Sequence, residues 1–298
     1  MSELCRRFLV LGAHGQLGHE LGLQLASRWP DAELYLLGRA ECDVTDFDQV
    51  AEVFAEVQPD LVLNGTAYNA VDLAEDEPDE AFRLNAMVPA HLALNSALCG
   101  ATFVHYSTDY VFGEGFTSPI SEMEVASPNS VYGKSKRLGE ELVLQNNPGN
   151  SFVIRCCGLY GERRANFVRT MIRCALQGRK LTVVEDQFIS PTWVRPLATV
   201  TLDLLTSDHA PYGIYHAVTQ GQCSWYEYAD TIFKSLNLDA DLSPVLQADW
   251  GAKAPRPSYS VLDNMQLRVL GLDTMPDWKD SLEDFLTQYG EQIVSEEK

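Results

Sequence analysis

Basic residues are scarce in this chain. Its 22 Lys and Arg stand against 42 Asp and Glu, a formal net charge of −20 over 298 residues. Phosphate backbones and anionic membranes repel such a surface, so neither nucleic acid nor membrane is expected as a partner. No apolar run approaches the ~18 residues that span a bilayer. The start, MSELCRRFLVLGAHGQLG, places two arginines before an apolar run, as a secretory signal does. The run ends in glycines with no A-x-A site, so it reads as a first strand. The seven cysteines include no C-x-x-C pair. A disulfide framework is therefore not expected, and a reducing, cytoplasmic setting is. Cys156 and Cys157 read as buried strand thiols. His14, His19, His91, His105, His209 and His216 show no metal-ligand spacing, so each reads as a core or surface residue and no metal is expected. Internal repeats and low-complexity segments are absent as well.

What is present alternates. RFLVLG, AELYLLG, DLVLNGTA, ATFVHYST and SFVIRCC read as strands. Between them QLGHELGLQLASRW, FDQVAEVFAEV and residues 77–98 carry helical spacing, with Pro89 marking an irregularity in the last. Strand–helix alternation with continuous apolar strands predicts an α/β fold with a doubly wound parallel sheet. After Leu159 the rhythm breaks into aromatics, prolines and short mixed segments. We expect a dinucleotide-binding domain over 1–158, rejoined by 196–222, and a smaller irregular substrate domain over 159–298.

GAHGQLG sets Gly12, Gly15 and Gly18 between the first strand and the first helix. Glycines there let backbone approach a pyrophosphate, and the helix N-terminus offers N–H groups and a positive dipole. An NAD site usually carries an acid after the second strand. Here Gly38 and Arg39 stand in its place, which favours a 2′-phosphate and hence NADPH, with NADH as the alternative. From Arg155 to Lys180 seven basic residues face one acid, Glu162. That excess suits an anionic ligand, although a solvated helix face accounts for most of it.

Tyr132 and Lys136 are four residues apart in a helical stretch, on one face. Of the twelve tyrosines only Tyr132 has lysine at that spacing. An ammonium beside a phenol draws its pKa down from 10 toward the working range, which makes the pair an acid/base unit. Ser107 and Thr108 end the fourth strand, where a hydroxyl can bond a substrate carbonyl oxygen.

With these residues the chain resembles the extended short-chain dehydrogenase/reductases, and within them the dTDP-4-dehydrorhamnose reductases. The likeness runs nearly end to end, through CDVTD, LNGTAYNAVDLAEDEP, HYSTDYVFGEG, VYGKSKRLGEE, VIRCCGLYG, NFVRTMI, DQFISPT, SWYEYA and PRPSYSVLD. The resemblance implies a Rossmann-type reductase that reduces the C4 keto group of a dTDP-4-keto-6-deoxyhexose with NADPH or NADH. It implies that Gly15, Gln16 and Leu17 cover the pyrophosphate and that Asp43 and Val44 contact adenine. Ala67, Tyr68, Asn69 and Tyr106 would line the nicotinamide half. Tyr132 would donate the proton, Lys136 hold the ribose and Thr108 orient the keto oxygen. Asp109, Asn166 and Arg256 would lie near the nucleotide-sugar. Some members are metal-linked dimers. The residues carry no signature of one, so a homodimer stays open.

Three departures stand out. The family often writes RTSWxY where this chain has Arg155-Cys156-Cys157-Gly158-Leu159-Tyr160, so Gly158 replaces a tryptophan beside the sugar. Asn69 replaces a usual threonine, and Gly65 and Thr66 replace two alanines. Two alternatives follow. One is another nucleotide-sugar 4-ketoreductase. The other is a non-catalytic NADP-binding regulatory subunit, like the methionine adenosyltransferase β subunit.

Overall fold

The computed structural model describes residues 6–297. In the first half, strands β1 (Arg7–Leu11), β2 (Glu33–Leu37), β3 (Leu61–Asn64), β4 (Thr102–Thr108) and β5 (Ser151–Cys156) alternate with helices. These are α1 (Gln16–Arg28), α2 (Phe47–Val57), α3 (Pro78–Phe82), α4 (Val88–Cys99) and α5 (Val131–Asn146). The second half holds α6 (Phe167–Leu176), β6 (Leu181–Val184), β7 (Phe188–Ile189), α7 (Val194–Thr206), β8 (Gly213–His216) and β9 (Cys223–Ser224). It closes with α8 (Trp225–Leu236), β10 (Leu242–Val245), α9 (Gln247–Trp250), α10 (Met265–Val269) and α11 (Trp278–Glu296).

Six strands form one sheet in the order β2-β1-β3-β4-β5-β8, every neighbouring pair parallel. This is the expected doubly wound α/β fold. Alternate side chains of β1 enter opposite cores. Phe8 and Val10 pack with Leu17, Leu21 and Leu25 of α1, while Leu9 and Leu11 pack with Val50 and Phe54 of α2. Coverage of both faces is why these strands read as unbroken apolar runs. α7 packs on α1 and β8 extends the sheet beside β5. The sequence did not isolate β8, because four residues with no apolar run give no strand signal of their own. The remaining short strands pair as β6 with β10 and β7 with β9. Among the described residues no helix is long and apolar enough to cross a membrane.

The long helix expected over 77–98 is broken where Pro89 suggested. A π-helical turn, Arg83–Met87, separates α3 from α4, and Pro89 lies in the first turn of α4. Such turns often serve a site. This one brings Asn85 under α5, where its amide donates to Ser135 Oγ at 3.0 Å and to the Tyr68 carbonyl at 3.0 Å.

β1 stands between β2 and β3, so the chain's connections leave it in opposite directions. Open parallel sheets bind ligands beyond the strands' carboxyl ends at such a switch point.

Candidate active site

A cavity of about 530 Å³ opens at that switch point. One wall comes from the turns after β1, β3 and β4 and from the start of α5. The other comes from the loop after β5 together with Ile189 and Trp225.

The first wall begins at the glycine turn. Gly15 N–H donates to the Gly12 carbonyl at 2.9 Å, and the first helical bond runs from His19 N–H to the Gly15 carbonyl at 3.1 Å. No side chain caps α1. Gly15, Gln16 and Leu17 face the cavity, so the first-turn amides make an anion site. Gly12 and Gly18 shape the turn from behind. A Cβ on Gly18 would lie 2.3 Å from the Gly12 carbonyl oxygen, so only glycine lets the helix start this close to the strand. The turn therefore fits a dinucleotide pyrophosphate.

Past β2, Arg39 is 88% exposed and lies 3.8 Å from Asp43. Asp43 accepts from both the backbone and the hydroxyl of Thr45, which hold its carboxyl below the usual range. Val44 packs in the core. The nearest acid to the strand end is Glu41. It accepts the Gly38 N–H at 2.8 Å and lies 3.3 Å from His14. Arg39, Asp43 and Val44 all lie off the cavity wall.

After β3, Ala67 and Asn69 face the cavity. Tyr68, between them, turns away and donates its hydroxyl to Glu77 at 2.8 Å. Tyr106 borders the cavity but sends its hydroxyl to Thr201, 3.1 Å away.

The floor joins β4 to α5. Ser130 caps α5 by accepting from Gly133 N–H, so Tyr132 and Lys136 sit in its first turns. Both are buried and both line the cavity. The expected effect of lysine on tyrosine is not what this geometry gives. Lys136 Nζ donates to the Tyr106 carbonyl at 2.6 Å. Burial raises the Tyr132 pKa well above its usual value, against a smaller lowering by the Thr108 hydroxyl. Tyr132 is thus a protonated phenol at neutral pH. Burial also lowers Lys136 to about 8. Thr108 Oγ1 accepts from Tyr110 N–H at 3.2 Å and donates to Asp109 Oδ1 at 2.9 Å. The Cys157 thiol donates to Asp109 Oδ2 at 3.1 Å. Burial pushes the Asp109 carboxyl above the usual range, opposed by donation from Ser260, Cys157 and Thr108.

The second wall is a loop stapled to the first. Asn166 caps α6 and donates to Gln16 Oε1 at 2.9 Å. Arg164, in a left-handed conformation, donates to the His14 carbonyl. Glu162 lies 3.1 Å from His19. Gly158 borders the cavity at φ +52°, and a Cβ there would meet Pro191 Cα at 3.3 Å. The position therefore has not merely lost an indole, since its backbone disfavours any side chain.

The cationic excess of 155–180 largely vanishes on folding. Arg155 pairs with buried Glu140, Arg169 with Glu296 and Glu297, and Arg163 with Glu162. Of the seven, Arg164 alone borders the cavity. Arg256 does not reach it either. Its fork holds Asp72 at 2.9 and 2.8 Å.

Sequence reasoning missed Asn64, Ile189 and Trp225 as wall residues, and reached Arg164 only as one of a basic stretch suited to an anionic ligand. Trp225 had a signal, since it opens α8 behind a Ser224–Glu227 capping box. Asn64 and His105 had a weaker one, each a polar residue inside an apolar strand.

Residues 6–291 match the family described as the RmlD substrate binding domain. A dTDP-4-dehydrorhamnose reductase of Streptomyces griseus is 38% identical over 93% of this chain and 91% of the relative. A probable dTDP-4,6-dihydroxy-2-methyloxan-3-one 4-ketoreductase of Streptomyces antibioticus is also 38% identical, over 93% and 94%. The solved dTDP-4-dehydrorhamnose reductase of Bacillus anthracis, in complex with NADP, superposes with a TM-score of 0.91 at 36% identity, covering 96% of this chain and 100% of that one. The chain therefore belongs to the RmlD substrate binding domain family, alongside reductases of dTDP-4-dehydrorhamnose.

Proposed function

We propose that this protein reduces the C4 keto group of a dTDP-4-keto-6-deoxyhexose, dTDP-4-dehydrorhamnose in the first instance, with NADPH as reductant. The observation that carries the reading is Tyr132. It is a buried, protonated phenol facing a cavity at the sheet's switch point, with the Thr108 hydroxyl beside it. The names of the relatives supply the substrate class.

The amides of Gln16 and Leu17 hold the pyrophosphate, and Arg39 meets the 2′-phosphate. The bound nicotinamide supplies the hydride. Lys136 and the Ala67–Asn69 turn position the ribose and ring. Tyr132 gives its proton to the keto oxygen as negative charge develops there. The phenol carries its proton at neutral pH, the form a general acid needs. Thr108 orients the same oxygen. Asp109, Asn166 and Arg164 hold the sugar-nucleotide side. In this division of labour residues 1–158 with 196–222 bind the cofactor and, through Thr108 and Asp109, the reacting side of the sugar, and 159–298 bind the rest of the sugar-nucleotide.

A second reading keeps the chemistry and changes the sugar. Gly158 favours it, because the wall beside the sugar lacks the family's usual indole. The test is NADPH oxidation by the purified protein with dTDP-4-dehydrorhamnose. Turnover supports the first reading. Turnover only with another dTDP-4-keto sugar supports the second. Tight NADPH binding without turnover, together with co-purification of methionine adenosyltransferase, would make the protein a regulatory subunit.

A further inference from the structure

A polar chain runs from Thr66 in the cavity wall through buried His105 to Lys136. Thr66 donates twice to Asn64 Oδ1, from its backbone at 3.1 Å and its hydroxyl at 2.6 Å. That fixes the amide, so Asn64 Nδ2 faces His105 Nδ1 at 3.2 Å. The other ring nitrogen, Nε2, lies 3.4 Å from Lys136 Nζ. Asn64, His105 and Lys136 are each at most 2% exposed.

The donors and acceptors leave one consistent arrangement. Asn64 Nδ2 is a donor, so His105 Nδ1 accepts. A neutral imidazole then carries its proton on Nε2. The ring is neutral, since burial first and the Lys136 charge second hold its pKa well below the usual value. Its Nε2–H points at Lys136. An ammonium offers only N–H groups there, so two donors face each other. A neutral amine offers a lone pair that accepts the Nε2–H, while one of its own hydrogens still reaches the Tyr106 carbonyl.

We infer that His105 is a positioning residue for Lys136: held as its Nε2–H tautomer by Asn64 and Thr66, it makes the neutral amine the better-bonded form and lets Lys136 release its proton to the cavity readily. The inference rests on the proposed reading of Lys136 as a working group of the site that Tyr132 shares, but its test needs neither substrate nor cofactor. Other groups face Lys136 as well. Cys156 of β5 and Glu140 of α5 favour the ammonium. Tyr132 lies one turn before it on α5, and the Tyr106 carbonyl comes from β4. Of these contacts His105 alone turns a donor toward the nitrogen. Thr66 borders the cavity, so a ligand there touches the start of the chain.

The test is NMR on the full-length protein. Histidine nitrogen shifts report the His105 tautomer, and the Lys136 side-chain carbon, assigned with Lys136→Met, reports its titration. The expected wild-type ring is protonated on Nε2 alone. Asn64→Asp should turn it to the Nδ1–H form and present a lone pair to the ammonium. The Lys136 midpoint should then rise by at least about one pH unit, tenfold in proton affinity. The added carboxylate also favours the ammonium, so His105→Gln serves as a neutral second variant with the same expected direction. An Nδ1–H ring in the wild type overturns the inference, even if neither variant folds. So does an unmoved Lys136 midpoint in both variants.

Discussion

The two walls of the cavity are built differently. The first consists of strand ends and helix starts whose positions follow from the hydrogen-bond register of the sheet. Thr108 and Cys156 lie side by side because β4 and β5 pair there. The second wall is mostly the loop after β5, backed by Ile189 of β7 and Trp225 of α8, and the loop is held by separate side-chain bonds such as Asn166 to Gln16 and Arg164 to the His14 carbonyl. A register fixes many groups at once, whereas a staple fixes one. The first wall should therefore tolerate little change and carry the chemistry. The second should tolerate more and carry the choice of sugar.

The hardest test of the first wall lies beneath it. Glu140 of α5 grips Arg155 of β5 through two bonds of 2.7 Å, and both side chains are at most 2% exposed. Glu140→Ala leaves a buried guanidinium unpaired and should cost about 3–5 kcal/mol of stability in urea unfolding. The pair also predicts a pH response. Burial raises the Glu140 pKa, but Arg155 and Arg137 outweigh that and leave it below its usual value. Its contribution is therefore complete above the unfolded pKa, about 4.3. It fades as pH falls through the lower folded value. Glu140→Gln should lose less stability than wild type over that acid range. An equal acid loss in both would detach the pair from acid stability.

Tyr132→Phe should lower turnover at least ~100-fold, as removal of a general acid does, while NADPH affinity stays near wild type. Turnover within a factor of about three would take the proton-donor role from Tyr132. This residue also shows what the sequence made legible. The glycine turn, the strand ends and the Tyr132–Lys136 spacing are local patterns, because a register or a helical turn fixes them over a few residues. The direction of the Tyr132 pKa was not legible. It depends on burial and on Lys136 turning to the Tyr106 carbonyl, a contact 30 residues away in sequence. The ion pair of Arg256 was not legible for the same reason. Its partner, Asp72, is 184 positions distant, and no spacing announces it.

The second wall is tested at Gly158. Restoring the family's tryptophan looks like a gain of apolar contact. The structure gives the opposite sign, since the residue is left-handed and its Cβ would press on Pro191. Gly158→Trp should destabilise the protein by about 1–3 kcal/mol through backbone strain. It should not tighten dTDP-sugar binding measured by calorimetry. Tighter binding with unchanged stability would show that the loop re-forms around a side chain, and the second wall would then be softer still.

The smallest effect is expected at Arg39, which belongs to neither wall. Its side chain is 88% exposed and lies 3.8 Å from Asp43. An exposed pair at that distance contributes little to folding, so Arg39→Ala should leave the melting temperature unchanged. The guanidinium is nevertheless the cation that stands where NAD-binding chains carry an acid. The nearest acid, Glu41, turns one carboxyl oxygen to the Gly38 N–H and to His14. Loss of one charge-assisted contact to a 2′-phosphate should weaken NADPH roughly tenfold, the low end for such bonds because solvent screens this one. NADH lacks that phosphate and should bind as before. Parallel titrations with the two cofactors separate the cases. Equal weakening of both would mean that Arg39 acts on the turn carrying Asp43 and not on the phosphate, and cofactor choice would then have to come from the first wall itself.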